Sequence, residues 1–140
     1  MKLKIKKIRR DAKRPSYGHK GDAGLDLFSA ADCVLRPNQA EAIPTGICVA
    51  IPEGYVGLIW DKSGISLKGI HRLAGVIDSG YRGEVKVVMI NLSGKDFAIQ
   101  KGKKIAQMLI QPVITVDVDE VDDLGDTSRG GGGFGSTGEY

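Results

Sequence analysis

The stretch at residues 75–84, with the sequence GVIDSGYRGE, carries the clearest chemical signal in the chain. An apolar run leads to Asp78, a Ser-Gly pair makes a bend, and a second apolar run at 85–90 leads the chain away. This pattern predicts a β-hairpin that places the Asp78 carboxylate and the Tyr81 ring on opposite sides of the bend. A solvated aspartate that caps its own turn has the same local sequence, so the stretch alone leaves the role of Asp78 open.

Polar groups suited to phosphate occur at other places in the chain. The predicted strand 55–60 runs towards a Lys-Ser-Gly sequence at 62–64, and a lysine, a hydroxyl group and bare backbone amides all bind phosphate oxygens. The GxxxxGK[ST] spacing of a P-loop is absent from the sequence. Gln107 lies within an apolar run and requires a hydrogen-bonding partner if it is buried. Asp26 lies between two leucines of a short predicted strand, where a surface carboxylate is the ordinary interpretation.

The composition of the C-terminal end differs from that of the rest of the chain. Residues 126–138 contain six glycines and one large apolar side chain, Phe134. Such a segment buries too little surface to fold alone, which predicts a mobile arm. A GxGxxG match inside it is not a dinucleotide site, because no strand–helix unit surrounds it. A flexible linker explains the glycines, but only a lid that binds a phosphate and stacks on a ring also uses Arg129, Ser136 and Thr137.

Composition and charge exclude several classes of function. The chain has 140 residues, 41% of them hydrophobic, and its 20 basic and 17 acidic side chains give a net charge of +3. This balance predicts neither a nucleic-acid partner nor a membrane partner, and the basic alternation at 2–6 is best explained as a solvated strand face. Cys33 and Cys48 lie far apart and form no Cys/His cluster, which argues against zinc. Without a signal peptide or a long apolar segment, the expected location is cytoplasmic, with reduced thiols.

Many short strands separated by Gly and Pro turns predict an all-β sandwich or barrel. No window of 11 or more residues has a convincing helical period, and one short helix is plausible near 64–69. The sequence also predicts short extended segments that are separated from one another at Pro37, Pro44 and Pro52. The strand-like segments are 2–6, 23–30, 47–51, 55–60, 75–77, 85–90, a short one before 99, one ending at 110, and a last one at 114–118. We expect one domain at 1–123 and a flexible arm at 124–140.

Five stretches occur together in one order: AGLDL at 23–27, KSG at 62–64, GVIDSGYRGE at 75–84, GKKIAQ at 102–107 and RGGGGFGSTG at 129–138. In order and spacing they strongly resemble the five motifs of the trimeric dUTPase family, the deoxyuridine 5′-triphosphate nucleotidohydrolases. The motifs and their spacing cover nearly the whole chain. The resemblance implies an all-β, jelly-roll-like (β-clip) fold that forms homotrimers. It also implies active sites shared between subunits, each closed by a glycine-rich C-terminal arm.

The resemblance further implies an activity, hydrolysis of dUTP to dUMP and pyrophosphate with Mg²⁺ bound mainly to the triphosphate. This reaction limits uracil in DNA and supplies dUMP for dTMP synthesis. Asp78 is then the catalytic residue that orients and deprotonates the attacking water, and Asp26 anchors the water shell of the metal. The residues implied to bind substrate are Lys62, Ser63, Gly64, Gly75, Ile77, Tyr81, Lys86, Gln107, Arg129, Phe134, Gly135, Ser136 and Thr137.

Within that set the resemblance assigns each part of the nucleotide to particular residues. The backbone at 73–77 reads the uracil edge, Tyr81 lies under the deoxyribose, and Phe134 stacks on the base. Ser63 and Gln107 hold phosphate oxygens. The arm residues Arg129, Ser136 and Thr137 bind the γ-phosphate.

The sequence departs from the family pattern at three positions. Lys62 and Lys104 stand where arginine is common, so a point charge replaces a bidentate fork. Arg72 stands where many members have asparagine, so base recognition must rest on backbone groups or water. Two alternative functions are a dCTP deaminase of the same fold and a non-catalytic nucleotide-binding trimer. The deaminases carry a glutamate at the position of Val88, and without it deamination lacks its acid–base group.

Overall fold

The structure is a computed structural model that describes residues 1–138, and it confirms the predicted all-β fold. Residues 139 and 140, the end of the predicted arm, lie outside the described part. The elements are β1 (Lys4–Lys7), β2 (Leu25–Phe28), β3 (Cys33–Leu35), β4 (Ala40–Ala50), β5 (Tyr55–Trp60), α1 (Ser63–Ser66), β6 (Ile70–Leu73), β7 (Val76–Ile77), β8 (Glu84–Asn91), β9 (Phe97–Ile99) and β10 (Lys104–Pro112).

Three antiparallel sheets share one buried core. Their strand orders are β1-β4-β8-β6, β2-β10-β5-β7 and β3-β9. Side chains alternate along each strand, so in β8 Val85, Val87 and Met89 are buried whereas Lys86 is exposed. The core draws on all three sheets and includes Leu27, Leu35, Ile43, Ile47, Val49, Ile59, Val85, Val87, Met89, Ile99, Ile105 and Met108. Burial of these side chains, at about 25 cal/mol per Å² of apolar surface, is the main force that holds the sheets together.

The predicted hairpin at 75–84 is wrong. β7 pairs with β5 in the second sheet, whereas β8 pairs with β4 and β6 in the first sheet. The bend itself exists, since the Tyr81 N–H donates to the Asp78 carbonyl at 3.1 Å. A turn signal specifies a change of direction, but it does not specify which strands then pair. The segment 78–83 therefore carries the chain from one sheet to another.

Two other expectations also need correction. Pro44 does not end an extended segment, because β4 continues through it and accommodates it at a register shift between Pro44 and Cys48. The predicted last strand at 114–118 does not form within residues 1–138. Its apolar side chains Ile114, Val116 and Val118 are exposed. A strand requires a pairing partner, and this segment lies beyond the end of β10 without one in the described chain.

The predicted short helix is confirmed as α1, directly after β5. Its four residues place Ser63 and Gly64 at the first turn, where the backbone N–H groups have no partners within the helix. No helix within residues 1–138 has the length and apolar character needed to span a membrane.

Candidate active site

A cavity of about 230 Å³ opens where β6 leads into β7. It is here called the base cavity because the resemblance assigns the uracil base to residues of its wall. Its wall is a backbone kink in which Ala74 and Gly75 adopt φ angles of 58° and 142°. A Cβ atom at Gly75 would lie 2.8 Å from the Cβ of Ile59, so only glycine fits against β5 at this point. The Gly75 carbonyl accepts a hydrogen bond from the Ile59 N–H at 2.8 Å, which fixes the kink.

The base cavity brings together five of the residues that the sequence nominated. Its lining consists of Ile59, Leu73, Ala74, Gly75, Val76, Ile77, Asp78, Tyr81, Lys86, Val87 and Val88. Asp78 is exposed at this cavity, and within residues 1–138 no hydrogen bond or ion pair engages its carboxylate. An unpaired carboxylate beside a cavity is free to accept a proton from a bound water. Within residues 1–138 the Asp78 side chain therefore does not cap its own turn, which leaves the carboxylate open to a ligand of the cavity.

The loop that carries Asp78 is held by its own side chains. The Tyr81 hydroxyl donates to the Glu84 carbonyl at 2.9 Å, and Arg82 Nη1 donates to the carbonyls of Ser79 and Tyr81 at 2.6 and 2.8 Å. A Cβ atom at Gly83 would lie 2.4 Å from the Tyr81 hydroxyl oxygen, so the glycine is what allows the ring to fold back over the loop. These contacts hold the loop backbone and the Tyr81 ring in place relative to the cavity.

A second cavity of about 580 Å³ lies at the end of β5 beside β2 and β10. It is here called the phosphate cavity because it is lined by Lys62 and Gln107, which the sequence predicts to bind substrate or phosphate. Its lining consists of Gly18, His19, Asp22, Ala23, Gly24, Asp26, Trp60, Asp61, Lys62, Lys104, Gln107 and Leu109. Asp26 and Gln107 are directly opposite each other in the β2–β10 register, which explains why residues 81 positions apart meet here. None of the lining residues belongs to the base cavity.

Asp26 is buried rather than at the surface, with 3% of the residue exposed. Lys62 Nζ lies 2.5 Å from Oδ1 and Lys104 Nζ lies 2.6 Å from Oδ2, so both carboxylate oxygens are paired. Burial acts to raise the pKa of the Asp26 carboxyl, but the hydrogen bonds and charges of Lys104 and Lys62 outweigh it and lower the pKa below its ordinary value. The carboxylate is therefore ionised, and it keeps two cations gathered at the cavity.

Gln107 is held in place by two neighbours. Its Nε2 donates to the Asp61 carbonyl at 2.8 Å, which provides the partner that a half-buried amide requires. A Cβ atom at Gly24 would lie 2.2 Å from Gln107 Oε1, so the missing side chain of Gly24 makes room for the amide. The second N–H of the Gln107 amide remains available to a phosphate oxygen.

The chain does not bring every nominated residue to a cavity. Ser63 and Gly64 are exposed at the start of α1, next to Lys62 but outside the cavity lining. The arm residues make local contacts, such as the hydrogen bond of 2.8 Å from Arg129 Nε to the Gly132 carbonyl, and Phe134 is fully exposed. Arg129, Phe134, Gly135, Ser136 and Thr137 therefore line neither cavity of their own chain.

Sequence reasoning did not include Lys104 and Asp61 among the site residues. Lys104 had a signal, its place in the GKKIAQ stretch, but its pairing with Asp26 depends on the β2–β10 register. Asp61 precedes the Lys-Ser-Gly sequence and looks like an ordinary solvated acid, and only the fold shows what it contacts.

The comparisons with known proteins decide the family. A family model described as dUTPase matches residues 10–138. The chain belongs to the dUTPase family. A curated relative, the deoxyuridine 5′-triphosphate nucleotidohydrolase of Clostridium kluyveri, is 50% identical over 141 residues, and the alignment covers 99% of each chain. The resemblance seen in the five motifs is thus confirmed.

Solved dUTPase structures share the fold of the whole described chain. A mutant of the dUTPase from Staphylococcus bacteriophage 80alpha with dUpNHpp superposes with a TM-score of 0.92 at 32% identity and covers 98% of both chains. A mutant dUTPase from phage phi11 of S. aureus, whose structure reveals the coordination of a structural Mg(II) ion, has a TM-score of 0.83 at 31% identity. That match covers 89% of this chain and 99% of the phage chain. The jelly-roll-like expectation is therefore confirmed.

The residues of this dUTPase-family chain fit a magnesium ion that arrives with its nucleotide. No group of three or more His, Cys, Asp or Glu side chains suited to a metal occurs within residues 1–138. Mg²⁺ keeps most of its waters and takes a few carboxylate or phosphate oxygens. The buried Asp26 carboxylate in the phosphate cavity has the chemistry to accept hydrogen bonds from such waters.

Proposed function

We propose that the chain is a dUTP diphosphatase that hydrolyses dUTP to dUMP and pyrophosphate by attack of water on the α-phosphorus. The observation that carries this proposal is the exposed, unpaired Asp78 carboxylate beside a backbone-lined cavity, in a chain whose relatives are deoxyuridine 5′-triphosphate nucleotidohydrolases. Asp78 orients a water and accepts its proton, which contributes about 10²–10⁴ to the rate. The remaining acceleration comes from positioning the substrate and compensating its charge.

Uracil recognition rests on the backbone of the base cavity. The kink at Ala74 and Gly75 leaves little room beyond the cavity wall, because Gly75 packs against Ile59. We attribute discrimination against dTTP, whose base carries a 5-methyl group, to the shape of this backbone wall. Val88 lines the same cavity and has no proton to transfer, and it stands where the related deaminases carry glutamate. A dCTP deaminase activity is therefore not favoured.

The phosphate cavity compensates the charge of the triphosphate. Lys62, Lys104 and Gln107 bind phosphate oxygens there, and the first turn of α1 adds the Ser63 hydroxyl and the Gly64 N–H. Asp26 would hold the water shell of Mg²⁺, the cofactor of this family. When it is bound with the nucleotide, Mg²⁺ neutralises charge on the phosphate oxygens. Tyr81 and Lys86, on the base-cavity side, contact the deoxyribose and the α-phosphate.

We further propose a homotrimer whose active sites combine parts of several copies. Two observations support it. The base cavity and the phosphate cavity share no lining residue, and the arm at 124–138 lines neither of them. Fifteen residues, extended at roughly 3.3 Å each, reach about 50 Å, which is enough to cross to a neighbouring copy. The exposed apolar alternation at Ile114, Val116 and Val118 also fits burial against a second copy.

The arm then completes the site as a lid. Arg129, Ser136 and Thr137 bind the γ-phosphate, Phe134 stacks on uracil, and Gly135 lets the backbone approach the nucleotide. This division into a β domain at 1–123 and an arm at 124–140 is part of the proposal. A cytoplasmic location is proposed as well, and the free thiols of Cys33 and Cys48 support it.

The test of the proposed function is a pyrophosphate-release assay with Mg²⁺ on dUTP, UTP and the four standard deoxynucleoside triphosphates. We expect release from dUTP to exceed release from every other nucleotide by at least about 100-fold. Ammonia release from dCTP, measured in parallel, would reveal a deaminase. Tight binding of dUTP without any pyrophosphate would instead identify a non-catalytic nucleotide-binding protein and would overturn the proposal.

A further inference from the structure

A small polar junction connects the two cavities within one chain. It lies where β5 ends beside β6, and Asp61 is its centre. Asp61 Oδ1 accepts the backbone N–H of Arg72 at 2.8 Å, and Oδ2 lies 2.6 Å from His71 Nδ1. The backbone carbonyl of Asp61 accepts the Gln107 side-chain amide at 2.8 Å. Asp61 thus contacts Arg72, which precedes the wall of the base cavity, and Gln107, which lines the phosphate cavity.

Each partner of Asp61 leads directly to substrate-binding groups. Arg72 is followed by the segment 73–78, which forms the wall of the base cavity. Gln107 lines the phosphate cavity, and Lys62 is the next residue after Asp61. Any shift of Asp61 relative to β6 therefore changes the distance between the base-binding backbone and the phosphate-binding side chains.

The geometry argues against direct binding of substrate by Asp61. Its side chain is only 23% exposed, and both carboxylate oxygens are directed to partners on β6. A carboxylate that faced a triphosphate directly would repel its negative charge. Trp60 strengthens the same junction, since the Arg72 guanidinium carbon lies 4.9 Å from the centroid of its ring.

We propose that Asp61 is a positioning residue, which fixes Gln107 and the turn at 62–64 relative to the base-cavity wall. The inference rests on the proposed function, because it assigns the two cavities to the two ends of dUTP. In a trimer with shared sites, the same junction links the phosphate cavity of one site to the base cavity of the next. Misplacement of reacting groups by about 1 Å costs on the order of 100-fold in rate, so the effect is measurable.

The test compares Asp61→Ala and Asp61→Asn with the matched control Asp32→Ala. Asp32 also accepts a backbone N–H through its carboxylate, from Lys101 at 2.7 Å, but it lines neither cavity. We expect Asp61→Ala to lower kcat/KM for dUTP by about 10- to 100-fold, with a fall in Tm no larger than that of the control. Asp61→Asn keeps an oxygen for the Arg72 N–H and is expected to recover most of this loss.

A second readout separates positioning from a general structural role. Binding of dUMP, which needs the base cavity, is expected to change by less than about twofold in Asp61→Ala, whereas binding of dUpNHpp weakens by about tenfold or more. Equal weakening of both ligands, or kcat/KM equal to that of the wild type, would overturn the proposal. If Asp61→Ala does not fold, His71→Ala, which removes the partner of Asp61 Oδ2, is judged by the same ratio of the two affinities. Inactivity of the wild-type protein on dUTP would instead refute the proposed function.

Discussion

The base cavity and the phosphate cavity are shaped by different parts of the chain. Backbone forms the wall of the base cavity, through the kink at Ala74 and Gly75 and the hydrogen bond from Ile59. Charged side chains form the phosphate cavity, where Lys62 and Lys104 neutralise the buried Asp26. A wall made of backbone does not need to change its shape when a ligand binds. The lysines of an ion pair, in contrast, can exchange their carboxylate partner for another anion. Selectivity is thus expected from the first cavity and charge compensation from the second.

The same comparison explains the burial of Asp26. A buried carboxylate without partners would be costly, and two lysines without a counter-ion would repel each other. Together the three side chains form a stable cluster in the free protein. Under the proposed function, the oxygens of a triphosphate would pair with Lys62 and Lys104, and the Asp26 carboxylate would be available to the waters of a magnesium ion. The cluster therefore keeps the cavity organised without occupying it with a hydrophobic side chain.

The largest effect is expected from removing the proposed general base, the Asp78 carboxylate. Asp78→Asn keeps the size of the side chain but cannot accept a proton, so we expect kcat to fall by about 10²–10⁴-fold with dUTP binding retained. Steady-state pyrophosphate release and titration with dUpNHpp measure the two quantities. Asp96→Asn, an exposed acid outside both cavities, is the control and should match the wild type. Normal turnover in Asp78→Asn would show that Asp78 is not the general base.

Deleting the arm comes next in expected size. A chain that ends at Thr127 loses the groups proposed for the γ-phosphate and the base, and we expect kcat/KM to fall by about 100-fold or more. Stability should not change, because described arm residues such as Arg129 and Ser136 form their hydrogen bonds within the arm. Thermal unfolding and dUTP turnover check both statements. Unchanged activity would show that the arm is a spacer.

A smaller effect is expected from crowding the phosphate cavity alone. In Gly24→Ala the new Cβ would lie 2.2 Å from Gln107 Oε1, so the amide must move. Loss of one well-placed hydrogen bond to a charged group costs about 1.5–3 kcal/mol, or roughly 10- to 150-fold in kcat/KM for dUTP. Binding of deoxyuridine, which reaches only the base cavity, should be unaffected. Gly94→Ala, with open space around the new Cβ, is the control.

The smallest effect is a dependence of stability on pH. The pKa of Asp26 is lowered in the folded protein, so its ionised form contributes stability above the unfolded pKa of about 3.9. That contribution is lost as the pH falls through the folded pKa. The difference in unfolding free energy between the wild type and Asp26→Asn should therefore be larger at pH 7 than at pH 3. Urea unfolding without Mg²⁺ measures the two unfolding free energies. If their difference were larger at pH 3 than at pH 7, the lowered pKa of Asp26 would be contradicted.

The sequence nominated residues of both cavities, but it predicted neither the kink that forms the wall of the base cavity nor the strand pairing behind it. Lys62 stood out in a Lys-Ser-Gly sequence suited to phosphate and Gln107 as a polar residue within an apolar run, and the structure brings both to the buried Asp26. The kink at Ala74 carries no local signal, since alanine is not a residue that favours a positive φ. The pairing of β7 with β5, rather than with β8, depends on strands distant in sequence. Composition and turn residues thus predicted an all-β fold, but they could not predict which strands pair.

In the proposed trimer, one active site takes its base cavity, phosphate cavity and arm from different copies of the chain. The direct test mixes Asp78→Asn subunits, which keep the arm, with subunits that end at Thr127 and keep Asp78. Neither variant alone should hydrolyse dUTP appreciably. In mixed trimers, verified by mass, we predict activity from the one site that combines an intact Asp78 with an intact arm. No recovery of pyrophosphate release in such trimers would contradict the claim and would mean that each chain carries a complete site.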